Sequence, residues 1–156
     1  MTRPDSGQIS TALVGALQAD ATLRGLMPDG VWFGLAAPGL QRFVLVTLQI
    51  GTDEGLFGQR ALEDRVYIVK AVGLSRVVSI ATMKSAAHRI DELLELATLP
   101  VAGFSWVDCV REEPLEDPVP DLLDPSLVWH HYGGQYRIQV AWPDPVPAGE
   151  DVTHVD

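Results

Sequence analysis

The side chains of this chain that could do chemistry are its four histidines, its one cysteine and a cluster of carboxylates. His88 stands three and four residues before Asp91 and Glu92. On a helix that spacing puts all three on one face, where they could share a metal, although a surface hydrogen bond or ion pair is the commoner outcome. His130 and His131 are adjacent, so on a strand they point to opposite faces and cannot chelate one ion side by side. His154 falls in a polar tail and reads as solvated. Cys109 has no lysine nearby and no histidine at a recognised spacing, which makes it a buried small hydrophobe rather than a nucleophile. A lone cysteine cannot form an internal disulfide, and this fits a reducing compartment. Glu112, Glu113, Glu116 and Asp117 could pair for general acid–base work, but that role needs a pocket with shifted pKa values. The proline-rich stretch around them is a poor place to build one. No GxSxG elbow and no GxGxxG or GxxxxGK[ST] loop occurs. The residues therefore predict no catalytic group, no metal and no cofactor.

The totals bound the remaining function classes. An apolar share of 47% with 21% charged residues is ordinary for a soluble globular protein, and 156 residues suffice for one real core. No run of about 18 apolar residues occurs, so no membrane span is expected. The first residues, MTRPDSGQ, lack the apolar stretch of a signal peptide. The net charge is -10, and the 11 lysines and arginines are scattered. Clustered cations are what bind phosphates, so nucleic-acid binding is not expected, whereas an acidic surface repels nucleic acid moving past it.

The elements that must position these groups follow from periodicity. Ser6 to Leu26 reads as a helix with Ile9, Leu13, Ala16 and Leu17 on one face and a kink near Asp20. Val31 to Leu35 reads as a short edge strand. Phe43 to Ile50 is a strand whose even positions, Val44, Val46, Leu48 and Ile50, form a wholly apolar face. Gly51 to Arg60 holds three glycines and two acids and reads as a flexible loop. The apolar pair Leu56 and Phe57 at its tip either folds back on the domain or docks on another subunit. Leu62 to Ala97 organises the whole chain. Its strand, Ala61 to Val72, is apolar on both faces and belongs in the sheet interior. Its helix spans about Ser75 to Ala97, with Val77, Ile80, Met83, Ala87, Ile90, Leu93 and Leu94 as the buried stripe.

Phe104 to Arg111 is a further strand. Arg111 to Asp124, with three prolines and six acids, reads as a solvated loop or an extended edge with a short turn at Asp121 to Leu123. Leu127 to Tyr132 is extended, and Gly133–Gly134 reads as a turn or bulge. Gln135 to Trp142 is the cleanest strand, with Tyr136, Ile138, Val140 and Trp142 inward. Residues 1–142 then form one α+β domain: a two-layer, mainly antiparallel, four- to five-stranded sheet with two helices packed on one face. Residues 143–156 form an extended C-terminal arm.

Several phrases carry a resemblance. ISTALVGALQADATLRGLMPDGVWFGLAAPG, the FVLVTL strand, the Val66–Gly73 strand leading into AAHRIDELL, and the final GGQYRIQV together resemble the tail terminator, or tail-to-head joining, family of small phage tail-completion proteins. The likeness runs from about Ile9 to Trp142 and lies in small and apolar residues, not in a catalytic signature. It implies a non-enzymatic virion protein assembled in a bacterial cytoplasm. Such a subunit forms a ring, typically a hexamer, that caps the tail tube and meets the head connector, with DNA passing through its lumen unbound. On that reading Asp53, Glu54, Leu56, Phe57, Arg60, Glu112, Glu113, Glu116 and Asp117 contact neighbouring subunits, tube or connector. The alternatives are another neck or tail-tube-proximal ring subunit, or a small cytosolic ligand-binding domain or enzyme.

Overall fold

The structure, a computed structural model, describes residues 5–56 and 59–143. Helices α1 (Gly7–Ala19) and α2 (Ala21–Leu26) precede strands β1 (Val31–Phe33), β2 (Arg42–Leu56) and β3 (Gln59–Leu74). Helix α3 (Ile80–Leu94) follows, then β4 (Ser105–Pro120) and β5 (Val128–Ala141). The five strands form one sheet in the order β1-β2-β3-β5-β4. Every pairing is antiparallel except β1 with β2. The expected α+β architecture is present, and β3 occupies the sheet interior.

The predicted first helix breaks where the kink was read. Asp20 leaves the helical conformation, and its carboxylate accepts the Leu23 amide as the cap of α2. Three helices rather than two therefore make up the helical layer, with α2 packed against α3 and α1. The second predicted helix is shorter than periodicity suggested. Ser79 adopts an extended backbone and its hydroxyl accepts the Thr82 amide, so α3 starts at Ile80. Val77 and Ile80 are consequently exposed, and the buried stripe is Met83, Ala86, Ile90 and Leu94.

The core lies between these helices and one face of the sheet. Ile9, Leu13 and Leu17 of α1 and the α3 stripe meet Val44 and Val46 of β2, Tyr67, Val69 and Ala71 of β3, and Tyr136, Ile138 and Val140 of β5. Truncating one of these, Ile90 for instance, costs about 2–5 kcal/mol. The expected apolar face of β2 is broken, however: a register shift between Leu48 and Ile50 puts Ile50, 59% exposed, on the opposite sheet face across from Val66, while Leu48 stays on the core side at 43% exposed. Val66 and Val72 point to the opposite sheet face yet are buried, with Ile50 and Arg137 opposite Val66 and Phe43 and His131 opposite Val72.

Three segments expected to be irregular are strand. Residues 51–56 continue β2 paired with β3, with one register shift between Glu54 and Gly55, out to Leu56 opposite Gln59, so this is a long two-stranded arm and not a flexible loop. Its glycine at 51 serves packing: a Cβ there would stand 2.7 Å from the Arg65 guanidinium. Gly133 and Gly134 lie mid-strand in β5 and make no turn. A Cβ on Gly133 would fall 2.0 Å from the Val69 carbonyl oxygen, so glycine permits close approach of β3. The acidic proline-rich stretch is the second half of β4, paired with β5 out to Pro120 opposite Val128. It tolerates Pro114, Pro118 and Pro120 because it is an edge, and their positions fall on alternate residues whose amides face away from β5.

Candidate functional site

The β2–β3 arm is anchored by a buried charge. Glu63 is fully buried, with Ser6 Oγ donating to Oε1 at 3.0 Å and Arg65 Nη2 to Oε2 at 2.8 Å. The same guanidinium nitrogen reaches Asp53 Oδ1 at 3.2 Å. A buried carboxylate needs such compensation, and here it ties the base of the arm to the start of α1. Asp53 is thus part of a structural network, while Glu54 is exposed. The predicted contacts at Phe57, and the side chains of Leu56 and Arg60, lie outside the described residues. Beyond Val46 no strand borders β2 on its outer side among the described residues, and β5 reaches only Leu62 of β3. The arm therefore projects past its neighbours as a two-stranded ribbon.

The β4 carboxylates divide in role. Glu112 accepts from Gln135 Nε2 at 2.8 Å and pairs with Arg137 Nε. Arg137 Nη1 also reaches Asp64 Oδ1 at 2.9 Å, and Gln139 Nε2 reaches Asp64 Oδ2 at 3.1 Å. The Gln135 amide, and then Arg137, hold the Glu112 carboxyl below its usual range, the opposite of what a general acid needs. Glu113, Glu116 and Asp117 are exposed. The two predicted patches are not brought together. Asp53 stands level with Val140 and Asp117 with His131, nine residues apart along β5. At about 3.3 Å per residue they are separated by about 30 Å.

His130 and His131 are adjacent on β5, and His154 lies outside the described residues. His88 Nε2 lies 3.2 Å from Glu92 Oε1 on the exposed face of α3. Among the described residues no three histidine, cysteine, aspartate or glutamate side chains are grouped to hold a metal ion. Cys109 is buried, and burial pushes its thiol up to about 12. A cleft of about 280 Å³ between α3 and the β4–β5 pair is lined by Lys84, His88, Asp91, Arg111, Glu116 and Tyr132. Asp91 there is already engaged by Arg111 at 3.3 Å and by the Tyr136 hydroxyl at 3.0 Å. A second cleft, of about 310 Å³, opens at the other edge of the sheet between Gln18, Arg24, Asp29, Val31 and Trp32.

One feature escaped the sequence reading. The turn between β4 and β5 presents Leu122 and Leu123 to solvent, 98% and 96% exposed. It is tightly built. Asp121 Oδ1 accepts the amides of Leu123 and Asp124 at 2.9 and 3.0 Å, and Trp129 Nε1 donates to Asp121 Oδ2 at 2.9 Å. Asp124 Oδ1 accepts the Ser126 amide at 3.1 Å and its hydroxyl at 2.6 Å. The Asp-Leu-Leu-Asp spelling signals such a side-chain-capped turn, but nothing in it says that both leucines stay uncovered.

No protein-family model matches the sequence, and no curated protein matches it. Solved structures share its fold. A chain from the virion of a native gene transfer agent particle superposes with a TM-score of 0.66 at 19% identity, covering 87% of this chain and 96% of that one. A second solved chain, bearing no functional description, superposes with a TM-score of 0.58 at 11% identity over 90% of this chain and 98% of its own. No helix among the described residues is long and apolar enough to cross a membrane.

Proposed function

We propose that this chain is a structural subunit of a phage-like virion: a tail terminator that closes the tail tube as a ring and joins it to the head connector. The observation that carries this reading is the fold it shares, nearly end to end, with a chain of the gene transfer agent virion. Other features support it. In the cleft beside α3 the Asp91 carboxylate is already engaged by Arg111 and the Tyr136 hydroxyl. A net charge of -10 suits a lumen through which DNA must move without adhering. The three edge prolines of β4 suppress open-ended growth by strand pairing, which suits a subunit that must stop at a ring. Its partners on this reading are further copies of itself, the tube protein and the connector protein. Residues Glu54, Glu113, Glu116 and Asp117 are exposed carboxylates for those contacts.

The test is electron microscopy of purified protein mixed with self-assembling tail-tube subunits. A terminator gives one ring at a tube end and halts elongation. Incorporation along the length of the tube would make the chain a tube-type subunit instead, and tubes that elongate unchanged would end the proposal.

A further inference from the structure

The exposed Asp-Leu-Leu-Asp turn and the Arg24–Trp32 cleft sit on opposite edges of the same sheet. The turn joins β4 to β5 at one edge, and the cleft opens beside β1 at the other. The two are complementary in chemistry. The turn carries two solvated leucines between two aspartates. The cleft has an apolar floor at Val31 and Trp32 and a cation, Arg24, at its exposed rim. Asp29, the one acid lining it, stays ionised, but its Oδ2 is engaged by the Gln41 and Arg42 amides at 2.9 Å, which leaves Arg24 as the charge at the rim.

We infer that the Leu122–Leu123 turn of one copy docks into the Arg24–Trp32 cleft of the next, as the head-to-tail contact that builds the oligomer. Two surface leucines held out by a hydrogen-bonded turn lose little freedom on docking, and their burial removes apolar surface from water. Arg24 then faces the aspartates that flank them. A contact between different patches on opposite edges is heterologous, so it generates a ring when its rotation closes and a filament when it does not. The inference rests on the ring reading above and supplies its joint. A second copy is the occupant because the knob and the hole belong to the same chain, and because β4 is closed to strand pairing: its prolines remove outward amides, Leu96 N–H covers the Cys109 carbonyl, and Glu95 accepts the Arg111 amide.

The experiment uses two full-length variants, Leu122→Asp/Leu123→Asp and Arg24→Glu, neither of which touches the core. Sedimentation equilibrium reads the oligomeric state of each, alone and mixed. Each alone should self-associate at least about tenfold more weakly than wild type, as expected for loss of an anchoring contact. Mixed one to one, they should form a heterodimer and stop there, since each brings one intact face. Variants that assemble like wild type, or a mixture that stays as weak as its components, would overturn the inference. Tube capping keeps the two ideas apart. Variants that assemble and still cap tubes remove this contact and leave the terminator reading standing. A wild-type chain that assembles through this contact but never caps a tube removes the terminator reading alone.

Discussion

Asp20 Oδ2 stands 2.6 Å from Nη2 of Arg89, joining the break in the N-terminal helix to the middle of α3 across 69 residues of sequence. The same carboxylate accepts the Leu23 amide at 2.8 Å and so caps α2. Arg89 is held from its other side by Glu92 at 3.0 Å. One side chain therefore starts a helix and fixes how the helical layer lies over the sheet. That layer shapes the cleft beside β1, since Gln18 of α1 and Arg24 of α2 line it.

This pair predicts an acid dependence of stability. The Arg89 guanidinium, and then the Leu23 amide, lower the Asp20 pKa from 3.8 to about 2. The unfolded chain takes up the proton first as pH falls. The contribution is therefore whole above about pH 4, the ordinary carboxylate value, and disappears as pH drops through about 2. Asp20→Asn keeps a capping oxygen and loses the charge, so its stability deficit against wild type should shrink between about pH 4 and pH 2. Asp20→Ala should cost about 1 kcal/mol more than Asp20→Asn at neutral pH, for the lost cap. Urea denaturation across pH measures both. A deficit that stays constant down to pH 2 would show that the pair is not coupled to folding.

Two glycines should respond to alanine with opposite signs. Gly15 lies inside α1 with open space where a Cβ would go, so Gly15→Ala should stabilise by about 0.5–1 kcal/mol. Gly133→Ala would drive a methyl into the Val69 carbonyl, a backbone atom that cannot turn aside, and should cost about 3 kcal/mol or more. Thermal unfolding of the two variants decides. An unaffected Gly133→Ala would mean that β3 and β5 do not approach as described.

The prolines of β4 should act on association rather than on the fold. Replacing Pro114, Pro118 and Pro120 together by threonine restores three outward amides to an exposed edge. Circular dichroism should stay native, while light scattering during storage should rise well above wild type. A triple variant as soluble as the parent would show that the edge needs no guard.

Much of the fold is legible in particular residues. The alternation of Tyr136, Ile138 and Val140, and of Val44 with Val46, reports strands with one buried face because the core exerts a period-two demand on them. Asp20 announces the helix break because a carboxylate can cap. Glycine misleads. At Gly51, Gly133 and Gly134 it answers to a neighbour distant in sequence, so it looks like a turn while sitting mid-strand. The acidic segment misleads by composition, since its prolines fall on alternate outward amides that only pairing with β5 defines. Neither the pairing of Asp53 with Arg65 nor that of Glu112 with Arg137 is visible without register, and both draw candidate contact residues into the fold. Leu122 and Leu123 look like any turn leucines until their surroundings are known to be empty.

The β2–β3 arm separates assembly from folding. It extends past β1 on one side and past the end of β5 on the other, so its far end borders no third strand among the described residues. Replacing residues 55–61 by Asn-Gly leaves Glu54 and Leu62, which already face each other, closed by a two-residue turn suited to the strand twist. The Asp53–Arg65–Glu63 network remains below the new turn. The shortened chain should therefore unfold within a few degrees of wild type, losing chiefly the backbone bond from Trp142 to Ala61. If the arm contacts tube or neighbour, tails assembled with this variant should be uncapped and uneven in length, read directly from micrographs. Tails of normal length that still accept heads would place the contacts elsewhere, and the Leu122–Leu123 turn would then be the next surface to disable.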